Sequence, residues 1–197
     1  MLGIAYEMDV TVNLTAVIVL GFVAGIIIVF LVALVLRDRS RRLKEQFGPE
    51  YSRTVAETGG RWKAENVLEH RKHRVEKLNI RPLEASEIER FRNAWKSIQG
   101  EFIDDPNGTL IEAHRLIESV LLAEGYPVAD FEQRAADISV DHPAVVDNYR
   151  RGRHIVLKHA KGHASTEDLR KAMLHYQTLF NDLLGQPEYT QTGRIAT

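Results

Sequence analysis

The chain has 197 residues, 26 Lys and Arg against 27 Asp and Glu, and 44% hydrophobic residues, a balance that supports folding and excludes a charged disordered tail. It has no cysteine, which excludes disulfide frameworks, thiolate nucleophiles, cysteine zinc sites and cysteine-held iron–sulfur clusters. The near-zero net charge divides into blocks: residues 37–81 carry 13 basic and 7 acidic side chains, 82–149 carry 5 and 14, and 150–161 carry five basic and no acidic ones.

Residues 14–36, with Leu14 and Leu36 at the ends, hold no charge. As a helix rising 1.5 Å per residue the stretch is about 34 Å long, enough for a hydrocarbon core of roughly 30 Å, so it reads as a membrane span. A cleaved signal peptide carries its basic residues before a shorter apolar run. Here Glu7 and Asp9 precede the run, and Arg37, Arg39, Arg41, Arg42 and Lys44 follow it with only Asp38 in opposition. The positive-inside rule then predicts an external tail at residues 1–13 and a cytoplasmic location for everything after the span. Gly21 and Gly25 form a G-x-x-x-G pair through which two spans would pair as a homodimer; the competing reading is that glycine is common in membrane helices.

Residues 37–60 read as a basic juxtamembrane linker broken at Gly48-Pro49 and Gly59-Gly60. Within it Leu43, Phe47, Tyr51 and Val55 fall at four-residue spacing, a stripe that would lie along lipid headgroups or pack on the domain. Residues 61–185 read as a helical cytoplasmic domain. A charge-laced helix is predicted from Trp62 to Leu78. After Pro82, the residues Ile88, Phe91, Trp95, Ile98 and Phe102 recur at the spacing of one helical face.

Asp105 followed by Pro106 predicts the cap and first turn of the next helix, which buries Leu110, Ile111, Ile117, Val120 and Leu121 and ends near Gly125. A short helix from about Ala129 to Ser139 is closed by an Asp141-His142-Pro143 turn. Another runs from about Pro143 to Lys161 and buries Val145, Val146, Tyr149, Ile155 and Val156. Ser165 and Asp168 have capping-box spacing, and Leu169, Met173, Tyr176, Phe180 and Leu183 make the last stripe before Gly185. Residues 186–197 have no periodicity and are expected to be mobile. The expected architecture is all-α: a single N-terminal transmembrane helix followed by a small bundle of four or five helices.

Several long segments occur in a familiar order: Gly125-Tyr126-Pro127-Val128, the run from Asp130-Phe131-Glu132-Gln133-Arg134 through Asp137 to Asp141-His142-Pro143, Asn148-Tyr149-Arg150, and Ala164-Ser165-Thr166-Glu167-Asp168-Leu169-Arg170. Over roughly residues 45–184 they resemble a family of uncharacterised bacterial proteins with one N-terminal membrane helix and a helical soluble domain. Such relatives often have Tyr-Asp-Arg where this chain has Tyr51-Ser52-Arg53. The resemblance implies a bacterial inner-membrane protein and carries no activity, substrate or catalytic residue with it.

Candidate chemistry is sparse. His159 and His163 are four apart, the spacing of two ligands on one helix face, but Gly162 lies between them and no third ligand is evident. His70 and His73 with Glu69 lie beside Arg71, Lys72 and Arg74, which repel a cation, so surface histidines are expected and no metal or cofactor. Asp104-Asp105, and Asp137 with Asp141-His142, are read chiefly as helix caps and secondarily as general acid/base pairs. Arg150, Arg151, Arg153, Lys158 and Lys161 make a basic face suited to phosphates or, given the neighbouring acidic block, to charge matching within the chain or with a partner.

These readings converge on a membrane-anchored, non-catalytic interaction or scaffold module that contacts the lipid bilayer and an unidentified protein partner, with nucleic acid not expected. The alternatives are an enzyme using Asp137, Asp141 and His142, or nucleic-acid binding through the Arg150 to Lys161 face.

Overall fold

In a computed structural model the chain is all-helical: α1 (Leu2–Thr58), α2 (Arg61–Val75), α3 (Ala85–Glu101), α4 (Pro106–Glu124), α5 (Phe131–Asp141), α6 (Val146–Ala160) and α7 (Thr166–Leu183). The structure describes residues 2–127 and 129–185, with side chains from residue 19 onward, and no strand occurs among them. The expected tail at 186–197 lies outside the described residues. Two compact units divide between Glu45 and Gln46.

The first unit is the N-terminal part of α1, which contains one helix long and apolar enough to cross a membrane: its most apolar window has mean hydropathy 3.2 and no buried residue. Large apolar side chains from Val19 to Leu36 are exposed. Leu14 is helical, with its side chain outside the described set. Residues 2–13, expected as a tail, are helical as well. A Cβ on Gly21 or Gly25 would meet nothing within 4 Å. Beyond Leu36 the helix continues, with the basic residues partly offset by one-turn pairs such as Arg41–Glu45 at 2.8 Å and Arg42–Asp38 at 2.7 Å. Both pairs are exposed and contribute little to stability.

The second unit begins inside α1. Gly48, at φ 46° and ψ −120°, interrupts the helix in a region that only glycine tolerates, and Pro49 restarts it with its fixed φ and no amide hydrogen to satisfy. The stretch expected as a linker is therefore helical to Thr58, and from Gln46 onward it belongs to the folded unit, with Phe47, Glu50, Tyr51 and Thr54 buried. Phe47 and Tyr51 pack within this unit, which removes them from any stripe along headgroups.

Among the described residues six helices, rather than four or five, follow α1. The main core is built by α3 to α7, with α7 packed on α4 and α6, and α3 on α4. The faces read from helical spacing land in it, including Phe91, Trp95, Ile98, Ile117, Leu121, Tyr149, Tyr176 and Phe180. Trp95 stacks on Phe180 with ring centroids 4.8 Å apart, fixing α3 on α7. Ile111 is instead exposed, because it lies one residue off the stripe formed by Leu110, His114, Ile117 and Leu121.

Asp105 caps α4 by accepting from the Gly108 amide at 3.0 Å, and Ser165 with Asp168 forms the capping box of α7. α4 ends at Gly125 with φ 103°, where a Cβ would sit 2.3 Å from the Asn79 carbonyl oxygen, so the turn to Tyr126 requires glycine. α5 starts at Phe131, two residues later than expected, because Asp130 is its cap and accepts from Gln133 N at 3.0 Å. α6 starts at Val146 rather than Pro143: the His142 carbonyl first accepts from the amides of Val145 and Val146. Phe47, Tyr51, Ala64, Leu68 and Val75 are buried outside the main core, forming a second layer from α2 and the last turns of α1.

Candidate functional site

Charge holds this second layer to the core. Glu50 is buried, with its side chain 2% exposed, and takes a two-pronged bond from Arg150: Nη1 to Oε2 and Nη2 to Oε1, both 2.8 Å. Arg71 adds a third bond to Oε1 at 2.8 Å and reaches Ser139 Oγ at 3.3 Å. Burial pushes the Glu50 carboxyl up, but the bonds and charges of Arg150 and Arg71 outweigh it and leave its pKa below the ordinary value. One carboxylate on α1 thus joins α2, α6 and, through Arg71, α5. A parallel tie runs from Arg74 Nε to Asp137 Oδ1 at 2.9 Å, with Gln133 Nε2 on the same oxygen at 2.8 Å.

The basic face expected between Arg150 and Lys161 is largely spent inside the fold. Arg150 holds Glu50, Arg151 holds Asp147 at 2.5 Å, and Lys158 holds Asp168 at 2.7 Å. Arg153 lies over the Phe131 ring and 3.4 Å from His114 Nε2. Lys161 is exposed. Arg150 and Arg151 also line a shallow groove of about 360 Å³ with His154, Ile155 and His175.

The acid/base candidates separate. Asp137 is fully buried and neutralised by Arg74; it is neither a cap nor open to a substrate. Asp141 is the last residue of α5, and Oδ2 accepts from the Tyr126 hydroxyl at 2.8 Å, so its role is tertiary contact rather than capping. His142 Nδ1 bonds Asp182 Oδ2 at 2.6 Å, tying the turn after α5 to the end of α7. Burial lowers the affinity of His142 for a proton, but Asp182, then Glu124 and Asp141, reverse this and raise its pKa.

Glu124, at the end of α4, completes the group. It is 6% exposed, and its Oε2 has no hydrogen-bond partner. Burial is the main cause that lifts its pKa to about 7; His142 opposes the shift, and the charges of Asp141 and Asp182 add to it. Next to this cluster, Asp141 lines a cleft of about 380 Å³ whose other polar walls are Gln46, Lys72 and Glu76 and whose apolar ones include Val75 and Leu78.

A third polar network crosses the main core. His114 Nδ1 pairs with the Tyr176 hydroxyl at 2.9 Å, Arg134 reaches the Tyr149 hydroxyl at 3.3 Å, and Arg134 also binds Glu118. Burial lowers the His114 pKa, outweighing the opposing charge of Glu118.

Glu50, Glu124 and His114 were not singled out by spacing. Two of them had a signal: His114 and Glu124 fall in phase with Leu110, Ile117 and Leu121 on the buried stripe of α4. His163 lies beyond the end of α6, which breaks the helix face it would share with His159, and His73 bonds Glu76 at 3.0 Å. Among the described residues, no group of three or more His, Asp or Glu side chains is arranged to hold a metal ion. No family model, curated protein or solved structure matches the chain.

Proposed function

We propose that the chain is a membrane-anchored, non-catalytic helical interaction or scaffold module. In this reading it is a single-pass protein of a bacterial inner (plasma) membrane, with its N-terminus outside and its second unit in the cytoplasm. The observation that carries the reading is how charge is used: candidate groups marked by sequence patterns join helices to one another, as Arg150 does with Glu50, Asp137 with Arg74 and His142 with Asp182. The orientation is supported by Arg37, Arg39, Arg41, Arg42 and Lys44 following the apolar stretch. The resemblance to bacterial proteins with one N-terminal membrane helix supports the compartment.

Reporters fused after Thr197, one active only in the cytoplasm and one only outside, test the topology. Cytoplasmic activity is expected, and external activity overturns the orientation. One observation favours a second reading as an enzyme: Asp141 faces a cleft together with Lys72 and Glu76, beside a buried carboxyl that titrates near neutrality. His142→Ala and Asp141→Asn variants that keep the fold but lose the cellular function would favour the enzyme over the scaffold. Nucleic-acid binding through Arg150, Arg151 and Arg153 would show affinity that falls steeply with salt, and the intramolecular engagement of these three cations weighs against it.

A further inference from the structure

Cations near a helix C-terminus are favourable and carboxylates are not, because the last carbonyl groups carry a partial negative charge. Three helices do the reverse at one place. α4 ends on Glu124, α5 ends on Asp141, and α7 carries Asp182 one residue before its end, while no basic residue occupies the last turn of any of them. These ends meet. His142, the residue after α5, bonds Asp182 at 2.6 Å, its ring lies 6.5 Å from that of Tyr126, and the Tyr126 hydroxyl donates to Asp141 at 2.8 Å. Glu124 is buried with Oε2 unbonded and feels the charges of His142, Asp141 and Asp182.

The connection between α2 and α3 rests on the same place. The Arg81 amide donates to the Glu124 carbonyl at 2.8 Å, and the Asn79 carbonyl oxygen fills the space that a Cβ would take at Gly125. Arg81 pairs its side chain with Glu87. From α2, Lys72 and Glu76 line the adjoining cleft with Asp141, and Asp137, one turn back on α5, is already neutralised by Arg74.

We infer that Glu124, Asp141, His142 and Asp182 form a proton-operated latch: with Glu124 and His142 protonated it holds together the ends of α4, α5 and α7 and the strap at residues 79–81, and loss of those protons lets this end of the bundle open while the rest stays folded. With both protons in place one negative charge among the four groups is uncompensated; without them three are, all on the negative ends of helices. Repulsion at close range in a poorly hydrated setting is strong, and water admitted by opening relieves it. Burial lifts the Glu124 pKa from 4.5 to about 7, so its share of the latch is full below 4.5, weakens as pH rises and levels off above about 7. The raised pKa of His142 acts in the same direction. The latch is independent of the membrane anchor and of the scaffold reading.

Amide hydrogen exchange of the full chain in mild detergent, with intrinsic rates divided out, measures the opening. The reporters are the amides of Arg81, Tyr126, His142 and Leu184, which the latch closes over; the references are Ile117 and Tyr176, in the core and well inside α4 and α7. Reporters less protected than the references at every pH are expected, with protection that falls about 70-fold between pH 5 and pH 8 as Glu124 ionises. Glu124→Gln, unable to ionise, removes most of that fall. Reporters that match the references throughout would mean that these groups act only through unfolding of the whole unit. Reporters that open to the same extent at every pH would mean ordinary fraying of helix ends. Either result overturns the latch, as does a Glu124→Gln chain that keeps the full fall.

Discussion

Replacing Glu124 with Gln isolates the cost of a buried, incompletely bonded carboxyl. A group that ionises at about 7 in the fold and at 4.5 in the open chain holds a proton that the unfolded chain has already released. Its contribution to stability is therefore full below pH 4.5, declines as pH rises, and levels off above about 7. At about 1.4 kcal/mol per pH unit, the folded state loses about 3 kcal/mol across that window. Glutamine cannot ionise, so the variant lacks the decline.

The gap between Glu124→Gln and wild type is thus expected to widen by up to about 3 kcal/mol between pH 4.5 and pH 8, in favour of the variant. His142 trims the gain, because its raised pKa depends partly on the charge of Glu124. The new amide adds its own offset, but an uncharged group adds the same offset at every pH. Urea unfolding of the full chain in mild detergent, followed by the fluorescence of Trp95, which is buried against Phe180, reads the gap. A gap that stays constant with pH, or one that closes toward pH 8, refutes the reasoning.

Removing the Glu50 carboxylate leaves the half-buried Arg71 and Arg150 without their shared partner, and Glu50→Ala is expected to cost about 3 kcal/mol in the same unfolding assay. In the wild type the depressed pKa of Glu50 means that its stabilising term is complete above the ordinary carboxylate value and disappears as pH falls through the lower folded value, which a low-pH unfolding series detects. Gly152→Ala places a methyl carbon 2.5 Å from Tyr176 Cε1, forcing the α6–α7 contact apart, and should lower stability by about 1–3 kcal/mol. At Gly125, alanine meets both a left-handed backbone and the Asn79 carbonyl oxygen at 2.3 Å, and amide exchange should show a faster-opening α4 terminus.

What spacing reveals is burial of apolar surface, and it does so well where a helix has a full stripe. Phe91, Trp95 and Ile98 on α3, and Leu169, Met173, Tyr176 and Phe180 on α7, were legible for that reason. The second layer was not. From Phe47 to Thr58 the turns of α1 carry few apolar residues, and Gly48-Pro49 punctuates them as a loop would, so their burial depends on cations supplied from far along the chain. Sequence does not say which carboxylate a distant arginine will claim. Asp137, one of the acids considered for chemistry, proved to be such a claimed group, and the helix after Pro143 starts from Val145 as its N-cap residue with no side-chain cap, so neither Asp137 nor Asp141 caps it. Glu124 and His114 show a readable exception, since a charged or titratable residue in phase with an apolar stripe is a candidate for burial with a shifted pKa.

The tie between Glu50 and Arg150 also bears on how the protein is made. The two residues are 100 positions apart, and Arg71 alone, 21 positions away, cannot satisfy both carboxylate oxygens. During synthesis at about 5–20 residues per second, Glu50 is joined to the chain roughly 5–20 s before Arg150 is. Desolvating the carboxylate before then is unfavourable, so the layer formed by α2 and the end of α1 stays hydrated until α6 emerges. The earliest-made part of the second unit is therefore the last to close, and a growing chain passes through a stage in which its N-terminal helix is complete while the surface beneath Glu50 remains open to water.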